Sequence, residues 1–182
     1  MPRIPTISSR NDLRPEQQAA ADAVVKVFGS IRGPFSVLLH SPKLAERMLG
    51  LVTFYREETV VEARHRSLAI LAAVREREGA YVWAAQVAAA RRGGVSEAAI
   101  DLLRGKGDPA ALPADEREIV AYTRQLVRTN RVDQAAFDAL LKRHGVQWLV
   151  ELTAAAHYYA ALCGIVNAFE VPAPADGDKL PG

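Results

Sequence analysis

Cysteine occurs once in this chain, at Cys163. A single thiol excludes an intramolecular disulfide and any multi-cysteine metal site, and its scarcity suits a reducing compartment, so a cytoplasmic location is expected. An excess of either charge is also missing: 23 Lys and Arg stand against 21 Asp and Glu, a formal net charge of +2. Basic residues alternate with acids, as in Arg75-Glu76-Arg77-Glu78, which leaves no basic stripe for a polyanion. No nucleic-acid partner is expected. The four histidines show neither H-x-x-x-H nor H-E-x-x-H spacing, so the expectation is no metal. The opening residues, Met1-Pro2-Arg3-Ile4-Pro5-Thr6, contain no apolar core of a signal peptide, and none is expected.

Period-two alternation is absent as well; the β-branched residues are scattered through helical runs. What is present is helix punctuation. Pro15 opens a helix that runs to about Phe28, with Gly29 as its stop. Ser41-Pro42 starts another through about Glu57, with Ser41 as the expected cap. Further helices are expected over about 61–78 and 80–92, the latter stopped by Gly93-Gly94. Ser96 begins a short helix to Arg104, Pro113-Ala114-Asp115 lead into one ending near Asn130, and Asp133 caps one to His144. The apolar run from Val146 to Phe169 is long enough to raise a membrane question. It carries Gln147, Glu151, Thr153, His157 and Asn167, which are costly in lipid, so it reads as a core helix and no membrane partner is expected. The fold class is all-α, a bundle of about eight helices. Ala156, Ala160 and Gly164 put small residues on one face of the last helix, a packing feature.

The segments Leu38-Leu39-His40-Ser41-Pro42, Arg64-His65-Arg66-Ser67-Leu68-Ala69-Ile70-Leu71, Tyr81-Val82-Trp83-Ala84 and Ala90-Arg91-Arg92-Gly93-Gly94-Val95-Ser96-Glu97 follow one another in order. Together with the region from Tyr158-Tyr159 to Asn167-Ala168, they resemble the carboxymuconolactone decarboxylase-like, or AhpD-like, superfamily. The resemblance implies an AhpD-like helical domain over residues 33–171; the residues themselves suggest an N-terminal arm and helix over 1–32 and, from the Pro-Ala-Pro-Ala-Asp-Gly-Asp-Lys composition, a disordered tail over 172–182. The resemblance also implies a homo-oligomer, a trimer or a hexamer of trimers.

Peroxidases of that superfamily use a glutamate, a C-x-x-C pair and a histidine as a proton relay around a reactive thiolate. By register, these positions fall on Ser67, Gly79, Val82 and Gln86. A thiolate nucleophile needs a thiol to ionise and a neighbour to take its proton, so dithiol peroxidase chemistry is not expected.

The remaining candidates carry acid/base and binding chemistry without a cofactor. His157, beside Tyr158 in an apolar helix, can transfer a proton near neutrality, or it can be a core histidine bonded to backbone or to Thr153. Arg64 and Arg66 can clamp a carboxylate through the guanidinium fork, or form surface ion pairs with Glu58 and Glu62. Tyr81 and Trp83 can wall a planar ligand or simply fill the core. Ser67, Gln86 and Tyr158 complete the expected substrate-binding set, with His157 and Arg64 as its catalytic members. His65 reads as solvated, His40 as shaping a loop, and Cys163 as a small buried hydrophobe. The implied function is a cofactor-independent enzyme acting on a small organic acid or lactone by decarboxylation, isomerisation or hydrolysis. The alternative is a non-catalytic ligand-binding or assembly module on the same fold.

Overall fold

Start and stop residues place most of the helices where their chemistry dictates. The structure, a computed structural model, describes residues 1–181 and contains nine α-helices and no strand among them. The chain divides into two compact units, residues 1–59 with 165–172, and residues 60–164 with 173–182. The expected boundary at residue 33 falls inside the first unit.

In the first unit, α1 (Gln18–Phe28) follows a single 3-10 turn at Pro15–Gln17, a tighter entry than the expected α-helical start. A short helix, α2 (Pro34–Leu38), was not legible from the sequence; Pro34 sits at its start, and Phe35, Val37 and Leu38 are buried. In α3 (Pro42–Glu57), Ser41 occupies the cap position but its hydroxyl makes no capping hydrogen bond. The helix starts on Pro42 instead, whose fixed φ is already helical.

The second unit is built on α4 (Ala63–Glu76), which packs chiefly on α5 (Ala80–Arg92) and α7 (Ala114–Thr129). Every side chain from Leu68 to Arg75 is buried, so α4 is central rather than amphipathic. α6 (Glu97–Arg104) is capped by Ser96, whose Oγ accepts from the Ala99 N–H at 3.2 Å. α8 (Gln134–His144) is capped by Asp133, accepting from the Ala136 N–H at 2.8 Å. α7 ends on Asn130 in the left-handed conformation, which asparagine tolerates.

α9 (Val146–Ala168) is 23 residues long and has the length and composition to cross a membrane. Half of its apolar stretch is buried, and Ala156 packs with Ala73 of α4 and Val127 of α7. The small-residue stripe is used only in part: Ala156 and Ala160 are buried, whereas Gly164 is exposed.

A buried ion network joins α4 to α7. Arg128 holds Glu76 with both arms, Nε to Oε2 at 2.7 Å and Nη2 to Oε1 at 2.8 Å. Arg124 adds Nε at 3.4 Å from Oε1 and donates through Nη1 to the Gly107 carbonyl at 2.6 Å. Both Glu76 and Arg124 are almost wholly covered, so the charges are tolerated because they are paired.

Candidate functional site

The resemblance sets four positions against the peroxidase relay, Ser67, Gly79, Val82 and Gln86. Gly79 and Val82 are buried, and Ser67 and Gln86 are half-buried. Gly79 has a tight neighbour: a Cβ built on it would fall 2.2 Å from Cys163 Sγ and 2.9 Å from Cys163 Cβ. The one thiol of the sequence thus fills the space above Gly79. It is fully buried, and burial pushes its pKa up to about 12, with Arg77 only partly offsetting this. A thiol so placed stays protonated and unreactive. Cys163 is the small hydrophobe its sequence context suggested.

Trp83 is 0% exposed, and its indole N–H has no hydrogen-bond partner among the described residues. In this structure it is a core residue. Tyr158 is buried edge-to-face on Tyr159, with ring centroids 5.3 Å apart, and Tyr81 is half-buried. The two arginines are occupied by the protein itself. Arg64 Nε donates to Glu116 Oε1 at 2.8 Å, its Nη2 contacts the same oxygen, and the Glu116 side chain is 2% exposed. Arg66 Nη1 donates to the Val61 carbonyl at 2.7 Å.

His157 lies elsewhere, on a groove of about 450 Å³ between α7, α8 and the first half of α9. Tyr122 of α7 and Phe137 and Leu141 of α8 form one side. Val146, Leu149, Val150, Thr153, Ala154 and His157 form the other. Helical spacing explains the α9 set, since residues 146, 149, 150, 153, 154 and 157 fall on one stripe. Within the groove the Tyr122 hydroxyl is 2.7 Å from Thr153 Oγ1, and Thr153 donates to the Leu149 carbonyl at 2.7 Å. Thr153 has a single proton, so Tyr122 is the donor to it. His157 Nδ1 lies 3.4 Å from the Thr153 carbonyl, a contact that suits the tautomer with its N–H at Nδ1 and its acceptor nitrogen at Nε2. Among the described residues His157 brings the one imidazole to this groove and no carboxylate lines it; neither arginine, nor Trp83, Ser67, Gln86, Tyr81 or Tyr158, lines it either.

A second cluster was not legible in the sequence. Glu62, at the start of α4, accepts from the Trp148 indole N–H at 2.9 Å and faces His65 Nδ1 at 3.1 Å. His65 Nε2 lies 3.6 Å from Asp115, and His144 stacks on Trp148 at 3.9 Å between centroids. His65 is therefore 15% exposed and engaged rather than solvated. The Trp148 hydrogen bond holds the Glu62 carboxyl below its ordinary range. The residues come from four helices, α4, α7, α8 and α9, and no short motif links them. Among the described residues no group of histidine, cysteine and carboxylate side chains has the geometry to hold a metal.

His144 makes this cluster sensitive to acid. Burial pushes its pKa below 6.5, helped by neighbouring His65 and Arg143 and opposed by Glu62 and Glu118; its Nε2 has no hydrogen-bond partner within the chain. A group that resists protonation in the fold contributes stability above about pH 6.5, and this is lost as pH falls through the depressed value. Thermal melts between about pH 7.5 and 5 should show a falling midpoint that flattens in His144→Gln. The depressed carboxylates act at lower pH. An unchanged slope in the variant would remove His144 as the cause.

Nine helices and no strand among the described residues make this the AhpD-like all-α fold. The structure is similar to that of a peroxidase-related protein with an alkylhydroperoxidase AhpD core from Ralstonia eutropha JMP134. That match has a TM-score of 0.76 at 15% identity, over 96% of this chain and 93% of that one. A peroxidase-related protein from Silicibacter sp. TM1040 matches with a TM-score of 0.74 at 14% identity, over 96% and 95% of the two chains. No family model and no curated protein matches the sequence.

Proposed function

We propose that this AhpD-like protein is a cofactor-independent enzyme that binds a small, uncharged lactone-type molecule in the α7–α8–α9 groove and uses His157 as its proton carrier. The observation carrying the reading is an imidazole on a groove whose hydroxyls, those of Tyr122 and Thr153, are engaged with each other. Of the two substrate classes implied by the resemblance, the absence of arginine from the lining favours the lactone over the free acid. A carboxylate would lose its hydration there without gaining a cation. Proton removal beside a carbonyl and return at another carbon gives isomerisation; activation of water gives ring opening. The 3.4 Å contact at Nδ1 holds the ring only weakly, and this favours the second reading, a groove that binds without turnover.

One comparison separates the readings. Against a panel of lactones, His157→Gln should lower turnover by about 10²- to 10⁴-fold, the range for loss of a general base, with a nearly unchanged melting temperature. Ligand-induced thermal shifts that survive the substitution without any wild-type turnover would establish the binding module. A melting temperature that drops with activity would make His157 structural.

A further inference from the structure

The end of the chain makes contacts on another face, independent of the groove and of its assigned role. Composition alone gives residues 172–182 little reason to order, yet Gly177 seats closely on α5. A Cβ there would fall 2.7 Å from that of Ala84, so only glycine fits without displacement. The next residue, Asp178, enters a guanidinium fork. Arg91 Nη1 donates to Oδ2 at 2.7 Å and Nη2 to Oδ1 at 3.2 Å, while Arg104 Nη2 reaches Oδ1 at 3.2 Å. The paired hydrogen bonds from Arg91 hold the Asp178 carboxyl below its usual range.

Both arginines also keep resident partners. Glu97 accepts from Arg91 Nε at 2.7 Å and Nη2 at 3.1 Å, and Asp101 contacts Arg104 Nη1. The formal charges of the two arginines are thus balanced before Asp178 arrives. The third carboxylate is recognised by direction rather than by bulk attraction: parallel N–H groups of one fork plus a lateral N–H of another. Arg104 is itself held in place. Its carbonyl accepts from Arg75 Nε at 2.7 Å, and its guanidinium lies 5.9 Å from the centre of the buried Trp83 ring. The side chains of Arg104 and Asp178 are about one quarter exposed, so the site is partly shielded from water.

We propose that Arg91 and Arg104 form a carboxylate-binding site on the α5–α6 face, occupied in cis by Asp178 of the chain's own tail and open to a free carboxylate that displaces it. The carboxylate can come from a small dicarboxylic acid or from the tail of a second copy. A tethered occupant competes at an effective concentration in the millimolar range, so free ligand binds weakly until the tail is disabled.

Titration calorimetry on the full chain tests this with two probes, succinate and a synthetic peptide of residues 173–181. Asp178→Asn should bind at least one probe about tenfold more tightly than wild type, and adding Arg91→Gln should abolish that binding. Binding of the peptide alone assigns the site to tails; binding of succinate assigns it to small acids. Failure of Asp178→Asn to bind either probe, or indifference to Arg91→Gln, overturns the proposal. Tryptic cleavage after Lys179 gives a second readout. It should accelerate about tenfold in Asp178→Asn, in Arg91→Gln, and in wild type saturated with the bound probe, relative to other exposed sites. Equal cleavage rates in all of these would show that the fork does not seat the tail, and would overturn the proposal equally.

Discussion

Gly79→Ala should destabilise the protein by about 3 kcal/mol, the upper end of core overpacking, and lower the melting midpoint by roughly 6–12 °C. The added Cβ would sit 2.2 Å from Cys163 Sγ, and one of the two must move. On one side is the turn between α4 and α5, where Trp83 N–H bonds to the Gly79 carbonyl at 2.8 Å. On the other is the buried face of α9. Neither is the flexible end of a long side chain. The cause can be isolated by repeating the substitution in a Cys163→Ala background. The sulfur is then gone, only the 2.9 Å contact with Cβ remains, and the penalty should fall by more than half. Equal penalties in both backgrounds would place the strain in the turn's backbone rather than in the contact. Glycine here admits a thiol from the opposite helix, where burial keeps it inert.

The second large effect concerns Arg64, which sequence reasoning places among the catalytic candidates. Arg64→Ala should cost about 2–4 kcal/mol, because it leaves the Glu116 carboxylate buried without the cation that pairs with it. Arg64 itself is 43% exposed, which keeps the loss below that of a fully buried pair. Arg64→Lys should recover only part of the stability, since an ammonium lacks the Nε–Nη fork that meets Glu116. Denaturant midpoints of the two variants and of the Arg64→Ala, Glu116→Gln double variant provide the check. The double variant should be closer to wild type than Arg64→Ala, because a neutral amide costs less to bury. A normal melting curve for Arg64→Ala combined with lost turnover would restore the catalytic reading.

The sequence-level reading of the helices succeeded where a boundary depends on one or two residues. Asp133, Ser96, Gly29 and Asn130 act within a turn of themselves, so their effect is visible without the rest of the chain. α2 was missed because five residues give no periodicity; what makes Pro34–Leu38 helical is the burial of Phe35, Val37 and Leu38. Ser41 misled for the opposite reason: a good capping side chain was present, but Pro42 had already set the backbone. In the candidate site, the sequence singles out His157 as an imidazole on an apolar helix. It could not say which neighbours that helix would bring. Tyr122, Phe137 and Leu141 come from other helices, and only packing sets the rotation of α9 against them.

The sequence by itself determined the helical class, the helix ends with local caps, and the lack of a C-x-x-C pair, since one cysteine is a covalent fact that no folding alters. Tertiary structure alone decided which charged groups are free. Arg64 is spent on Glu116, Arg91 and Arg104 on Asp178, and Glu62 on Trp148, partners 52, 87, 74 and 86 residues away. The physical reason is range. Backbone capping acts over one turn and can be read along the chain, whereas desolvation and ion pairing depend on whatever surface lies opposite, which no local pattern records.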